Sequence, residues 1–90
     1  MNLNVLPGDM RLAAALYECC HSSLNRARFE LHREDFNEAE RWAKEFLRCK
    51  RDLDELVRKK EEHDKLVQLV ETMKERGIDV AIIMRKGNQK

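Results

Sequence analysis

The sequence is poor in residues that interrupt regular structure and in long apolar runs. Its 90 residues include three glycines and one proline, and none of these lies between residues 9 and 76. A chain with so few breakers and 39% charged residues favours long solvated helices and argues against an all-β fold. No apolar run approaches the roughly 18 residues that a membrane-spanning helix needs. We therefore expect no membrane partner.

The chain also lacks an excess of either charge. Eighteen basic residues oppose seventeen acidic ones, which gives a formal net charge of +1. Whole-chain electrostatics therefore give no drive toward nucleic acid or an anionic membrane. Ninety residues allow one domain with a thin core, and a core of that kind often depends on association with another chain.

Cysteine is scarce, at three residues: Cys19, Cys20 and Cys49. Neighbouring cysteines rarely bond each other, the odd count leaves a free thiol, and no basic-then-apolar leader precedes them, so we expect a reduced, cytoplasmic protein. Successive helical residues point about 100° apart, so Cys19, Cys20 and His21 cannot all face one metal. We expect Cys20 and Cys49 to pack as small hydrophobic residues, and we predict no metal and no cofactor.

The longest uninterrupted pattern predicts a helix over residues 36–76. Its apolar residues recur at alternating spacings of three and four, the heptad spacing of a coiled coil, which predicts a mostly α fold in which this helix packs against another helix: Ala39, Trp42, Phe46, Cys49, Leu53, Leu56, Val67 and Val70. Lys60 and His63 interrupt this series, but the charged stretch 58–65 contains no breaker. We therefore predict one continuous helix, the alternative being a chain that folds back near Lys60 into a three-helix bundle.

A shorter helix is predicted over residues 10–33. Asp9 follows Pro7 and Gly8 and is a good N-cap. Ala13, Tyr17 and Cys19 widen a single apolar stripe, which is predicted because the apolar residues of this helix recur at a helical spacing: Leu12, Leu16, Cys20, Leu24, Ala27 and Leu31.

Between the two helices, Asp35 and Glu38 match a capping box, which predicts a tight turn. Residues 33–39 resemble the turn inside a tetratricopeptide hairpin. No 34-residue period follows, so the resemblance implies only an antiparallel helical hairpin.

The two ends read as short extended segments. Residues 1–6 alternate between apolar and polar side chains, which predicts a strand or an ordered arm over residues 1–8. Gly77 is the expected C-cap of the second helix, with Ile78 making the hydrophobic contact of a Schellman motif. The β-branched stretch 78–84 then predicts a strand, and residues 85–90 form a basic tail.

The predicted helices differ in length, at roughly 35 Å and 62 Å. The first helix covers only half of the second, which leaves an apolar distal half that a partner must cover. We therefore predict a homo-oligomer, most simply a dimer, and a second protein as a further partner. The predicted partner-binding residues are Trp42, Phe46, Leu53, Leu56, Val67, Val70 and Met73.

Nothing in the sequence predicts catalysis. Cys49 and His63 would lie about 21 Å apart on one helix, and no glycine-rich phosphate loop exists. We expect a non-enzymatic adaptor, regulator or inhibitor, a format typical of proteins from viruses and mobile elements. The alternative is a binder of nucleic acid or a small phosphorylated ligand, through an arginine-lined surface that forms in the oligomer. Arg26 and Arg33 share a helix face, and Tyr17 lies on the same helix, so these three residues are the candidate anion site.

Overall fold

A computed structural model of the chain describes residues 3–77. About 88% of this part is helical. A 3-10 turn over Pro7–Asp9 leads into helix α1, Met10–His32, and helix α2 runs over Phe36–Glu75. The two helices pack against each other as a hairpin, and residues 3–77 contain no strand. The predicted helical hairpin is confirmed, and each helix ends one residue earlier than expected.

The chain divides into two compact units, Met1–Lys60 and Glu61–Lys90. The division falls inside α2, which is uninterrupted over its 40 residues. The charged stretch 58–65 is therefore helical as predicted, and the alternative of a turn near Lys60 is wrong. The prediction of a single domain is not tested by this division.

The segment before α1 differs from the predicted strand. Asn4 and Val5 form a bend, and the Val5 amide donates to the Leu3 carbonyl at 2.9 Å. Val5 is nevertheless only 4% exposed. The predicted strand is therefore wrong for residues 3–6, and the ordered arm over residues 1–8 stays a prediction. A segment anchored by one buried side chain shows the same short alternation of apolar and polar residues as a half-buried strand.

Asp9 does not act as the predicted side-chain cap. It precedes α1, but its side chain makes no capping hydrogen bond, and its backbone lies at φ −100° and ψ 0° rather than in the extended region usual for an N-cap. Its carboxylate instead lies 3.1 Å from Lys59 Nζ on α2. The side chain therefore joins the start of α1 to the other helix.

The turn between the helices is built around Glu34, whose φ is +61°. The Glu34 amide donates to the Leu31 carbonyl, and the Asp35 amide donates to the Glu30 carbonyl, each at 3.0 Å. These two bonds define a Schellman motif, in which glycine usually occupies the position that Glu34 holds. The chain thus accepts a strained residue at the point where it reverses direction.

Asp35 caps α2 as predicted, because its Oδ1 accepts a hydrogen bond from the Glu38 amide at 3.2 Å. The reciprocal half of the capping box does not form. The Asp35 amide is already bonded to Glu30, and the Glu38 carboxylate pairs with Arg41 at 3.1 Å. The turn therefore uses Asp35 twice, once to close α1 and once to open α2.

The packed face of the unit Met1–Lys60 consists mainly of small and polar residues. The buried residues are Val5, Ala13, Cys20, Ser23, Glu30 and Cys49. Of the stripe predicted on α1, Leu12, Leu24 and Leu31 are 47–54% exposed. The apolar stripe predicted on α1 is therefore only partly buried. Where two helices approach closely over small side chains, leucines lie at the margins of the contact.

α2 ends at a left-handed glycine, as predicted. Gly77 has a φ of +74°, and its amide donates to the Lys74 carbonyl at 3.1 Å. The contact of Ile78, the strand over 78–84 and the tail over 85–90 lie outside the described residues. Over residues 3–77, neither helix has an apolar stretch of the length that a bilayer crossing requires.

We expect Glu34→Gly to stabilise the protein by roughly 0.5–1 kcal/mol, because glycine enters the left-handed region without the steric cost that Glu34 carries. Urea unfolding measures the change. Glu34→Ala is the matched control, since it removes the carboxylate but keeps Cβ, and it should not stabilise. A Glu34→Gly protein no more stable than the wild type would contradict a strained turn.

Candidate interaction surfaces

The hairpin has an antiparallel register centred on Glu34. Three contacts between the helices establish this register, because the two residues of each contact are equally distant from Glu34 along the chain. They are the Cys19–Cys49 disulfide, the Asp9–Lys59 ion pair at 3.1 Å, and the contact of Arg26 with the Trp42 ring at 5.8 Å. These pairs lie 15, 25 and 8 residues from the turn. Residues equally far from Glu34 therefore lie at the same level of the hairpin.

The disulfide between Cys19 and Cys49 overturns the expectation of reduced cysteines, and it makes Cys49 more than a small core residue. Their Cα atoms are 6.2 Å apart, within the range that a disulfide spans. Cys20 is the free cysteine of the described chain, as the odd count predicted. Burial, and to a lesser extent the nearby Asp54, raises the pKa of the Cys20 thiol. That thiol therefore stays protonated and weakly reactive.

Glu45 lies beside the disulfide, and one oxygen of its carboxylate and the two sulfurs lie within 4.8 Å of one another. Two thiolates and a carboxylate are ligands that zinc accepts, but the disulfide occupies both sulfurs. The side-chain hydrogen bond from Arg48 lowers the pKa of Glu45 and holds the carboxylate in an ion pair. Cys19, Glu45 and Cys49 can offer three ligands only after reduction, and the sequence did not predict this set.

We expect Cys49→Ala to lower the free energy of unfolding by about 3 to 4 kcal/mol, because it opens a cross-link that spans 30 residues. Cys19→Ala should cost about the same. The double variant should cost little more than either single one, since both act on one bond. Urea unfolding with and without reductant measures these changes.

Cys20→Ala is the control for the disulfide, because it removes a buried thiol and leaves the cross-link intact. Reductant should destabilise the wild type and the Cys20→Ala protein but have no further effect on the Cys19→Ala protein. A wild-type unfolding midpoint that reductant does not move would contradict a stabilising disulfide.

An arginine–aromatic cluster contains two of the three predicted anion-binding residues. Its members are Arg26, Phe29, Glu30, Arg33 and Trp42. Arg26 and Arg33 each lie 3.5 Å from one carboxylate oxygen of Glu30, whose side chain is 3% exposed. Both guanidinium groups also lie over the Phe29 ring, at 5.4 and 5.6 Å. The structure brings the two arginines together, but around an internal carboxylate.

Tyr17 is not part of this cluster. Its ring packs edge-on against His21, with 4.5 Å between the ring centroids. The described contacts therefore do not bring Tyr17 together with Arg26 and Arg33 as one anion-binding site. Anion binding stays a prediction for the two arginines.

An open groove of about 700 Å³ runs between α1 and α2. It is lined by His21, Leu24, Asn25, Ala27, Arg28, Leu31, Ala39, Glu40 and Ala43. Two leucines and three alanines make the lining mainly apolar, and two exposed residues of opposite charge, Arg28 and Glu40, lie on different helices. We call this feature the α1/α2 groove. The sequence-based predictions did not identify it.

The predicted partner-binding residues fall into two groups. Trp42, Phe46, Leu53 and Leu56 are half-buried in the unit Met1–Lys60, whereas Val67, Val70 and Met73 belong to the unit Glu61–Lys90. Within the second unit Val67 is 41% exposed, and its neighbours Leu66 and Leu69 are 45% and 50% exposed. The distal part of α2 therefore presents apolar side chains to solvent. Partner binding by all seven residues stays a prediction.

Comparison with models of protein families, with curated proteins and with solved structures finds no match for this chain.

Proposed function

We propose that the chain is a non-enzymatic helical interaction module that binds other chains through exposed apolar helix faces. One observation carries the proposal. Within residues 3–77, four hydrophobic residues are buried, whereas nine large hydrophobic residues are 41–65% exposed. Soluble monomers rarely expose contiguous apolar patches of large area. Helical spacing places several of these side chains on common faces, which suits pairing with another helix.

The distal part of α2 supports this proposal. Its apolar residues recur at helical spacing over residues 66–73, and Leu66, Val67 and Leu69 are about half exposed. Such a face binds a second helix by apolar packing. The role that we propose is that of an adaptor, regulator or inhibitor, with a second copy of the chain and another protein as partners.

We expect Val67→Asp combined with Val70→Asp to weaken self-association roughly a hundredfold or more, because two carboxylates would have to enter an apolar contact. Sedimentation equilibrium over a range of concentrations measures the change. Lys65→Gln with Lys74→Gln is the matched control, since both positions are exposed on the same part of α2 and the net charge changes by the same two units. An unchanged molar mass in the Val67/Val70 variant would remove the distal face from the proposal.

A cytoplasmic location is part of the proposal only for the reduced chain. Disulfides such as the Cys19–Cys49 bond persist mainly in oxidising compartments. Alkylation of free thiols at the moment of lysis, followed by mass spectrometry, distinguishes the two states, because a reduced chain gains three labels and the disulfide-bonded chain gains one.

A second candidate function, binding of single-stranded nucleic acid or a phosphorylated ligand, is favoured by one observation. Arg26, Arg33 and Arg41 lie 5.0 to 5.8 Å from the ring centroids of Phe29 and Trp42. Guanidinium groups beside aromatic rings are a common surface for phosphates and unstacked bases. Glu30 competes for two of these cations.

This second function predicts that binding of a labelled single-stranded RNA falls steeply with rising salt and is lost in Arg26→Ala with Arg33→Ala. Fluorescence anisotropy measures both effects. Arg11→Ala with Arg51→Ala removes the same charge at exposed positions that have no part in the cluster, and this control should bind as the wild type does. Equal affinity of the two double variants would exclude the arginine–aromatic cluster as the site.

A further inference from the structure

The side of the hairpin that carries the α1/α2 groove displays a second heptad pattern. On α1 the spacing of four and three residues connects Tyr17, His21, Leu24, Arg28 and Leu31. On α2 the same spacing connects Phe36, Glu40, Ala43 and Leu47. Leu24, Leu31, Phe36 and Leu47 are 47–65% exposed. Heptad spacing directs side chains toward another helix, and the described chain offers no helix to cover these.

One charge of each sign interrupts the two series. Arg28 lies six residues before Glu34, and Glu40 lies six residues after it. The register of the hairpin therefore places them at the same level, on opposite sides of the groove that both line. Within residues 3–77, Arg28 forms no ion pair. Glu40 has only Lys44, at 4.0 Å, and both of those side chains are at least 67% exposed.

We propose that the α1/α2 groove is the dimerisation surface for a second copy of this chain. The two-fold axis of this dimer runs parallel to the helices. Such an axis places α1 of one copy over α2 of the other and keeps every residue at its own level. Arg28 of each copy then meets Glu40 of the other, which gives two identical ion pairs. The four helices form a bundle that encloses the leucines and Phe36.

The charge arrangement is what favours a second copy over an unrelated helix. In the two-fold dimer, the residue that faces Arg28 of one copy lies at the same level on α2 of the other copy. Arg28 gains a counter-ion there only if that residue carries a negative charge, and Glu40 meets this condition. An unrelated partner would require no such match within one chain. This inference rests on the proposed function, since it names the partner and one of the faces through which the module associates.

Charge reversal with mixing tests the proposal in the full-length chain. Arg28→Glu alone places two glutamates at each contact, and Glu40→Arg alone places two arginines there. We expect each single variant to dimerise at least about tenfold more weakly than the wild type. An equimolar mixture of the two variants should form a heterodimer of wild-type affinity, because both of its contacts pair opposite charges. Sedimentation velocity measures all three.

The mixture also separates association from folding, because a chain that fails to fold is not rescued by a second misfolded chain. Arg11→Glu and Glu18→Arg are matched controls at exposed positions of α1 outside the heptad pattern, and each should dimerise as the wild type does. Rescue in the double variant Arg28→Glu/Glu40→Arg but not in the mixture would place the pair within one chain and overturn the proposal.

Two further outcomes are distinguishable. If neither single charge reversal weakens the wild-type dimer, the groove is not the dimer contact and this inference is overturned. The proposed function would then rest on the distal face of α2. A wild-type chain that stays monomeric at every concentration would overturn both self-association and this inference.

Discussion

The structure depends on the close approach of two helices in one antiparallel register. The Cα atoms of Cys19 and Cys49 lie 6.2 Å apart, and only small side chains fit between helices held at such a separation. Ala13 and Ser23 are accordingly among the few buried residues of α1. Larger side chains of both helices are left at the margins, where they stay partly in water. The narrow contact thus leaves exposed the apolar side chains around the α1/α2 groove, one of the surfaces that the proposed function uses.

The sequence was informative wherever a local backbone requirement selects the residue type. Asp35 and Gly77 marked the start and end of α2 because an N-cap needs a side-chain acceptor and a C-cap needs a positive φ. The absence of breakers over 58–65 correctly predicted an unbroken helix. Each of these signals depends only on neighbours within one helical turn, so no knowledge of the packing was required.

The sequence was less informative where the outcome depends on which faces meet. The leucines of α1 and the small residues between them recur at the same helical spacing, so periodicity alone cannot tell which set packs inside. The Cys19–Cys49 bond was missed for a related reason. The disulfide could have been predicted from the equal distance of the two cysteines from the turn. That equality can be recognised only after Glu34 is known to be the centre of the turn. Asp9 was predicted to cap the nearby amides of α1, because its actual partner, Lys59, lies fifty residues away in the sequence.

The two sides of α1 differ in how their charges are satisfied. Arg26 and Arg28 are two residues apart, so they point to nearly opposite faces of the helix. On the face of Arg26, the carboxylate of Glu30 pairs with two arginines of its own helix. On the face of Arg28, the described chain supplies no counter-ion. On the first face the chain thus supplies its own counter-ion, whereas the second face acquires a matching charge when another chain covers it.

The turn and the disulfide control different parts of the register. Near Glu34 two backbone hydrogen bonds and the Asp35 cap determine how the helices leave the turn. Small errors in direction grow with distance from that point, so pairs far from it, such as Asp9 and Lys59, need the cross-link at Cys19 and Cys49 to stay aligned. Arg28 and Glu40 lie only six residues from Glu34, inside the part that the turn controls. We therefore expect reduction of the disulfide to act mainly on the stability of the hairpin and on its open end, and to leave the two charges of the α1/α2 groove aligned.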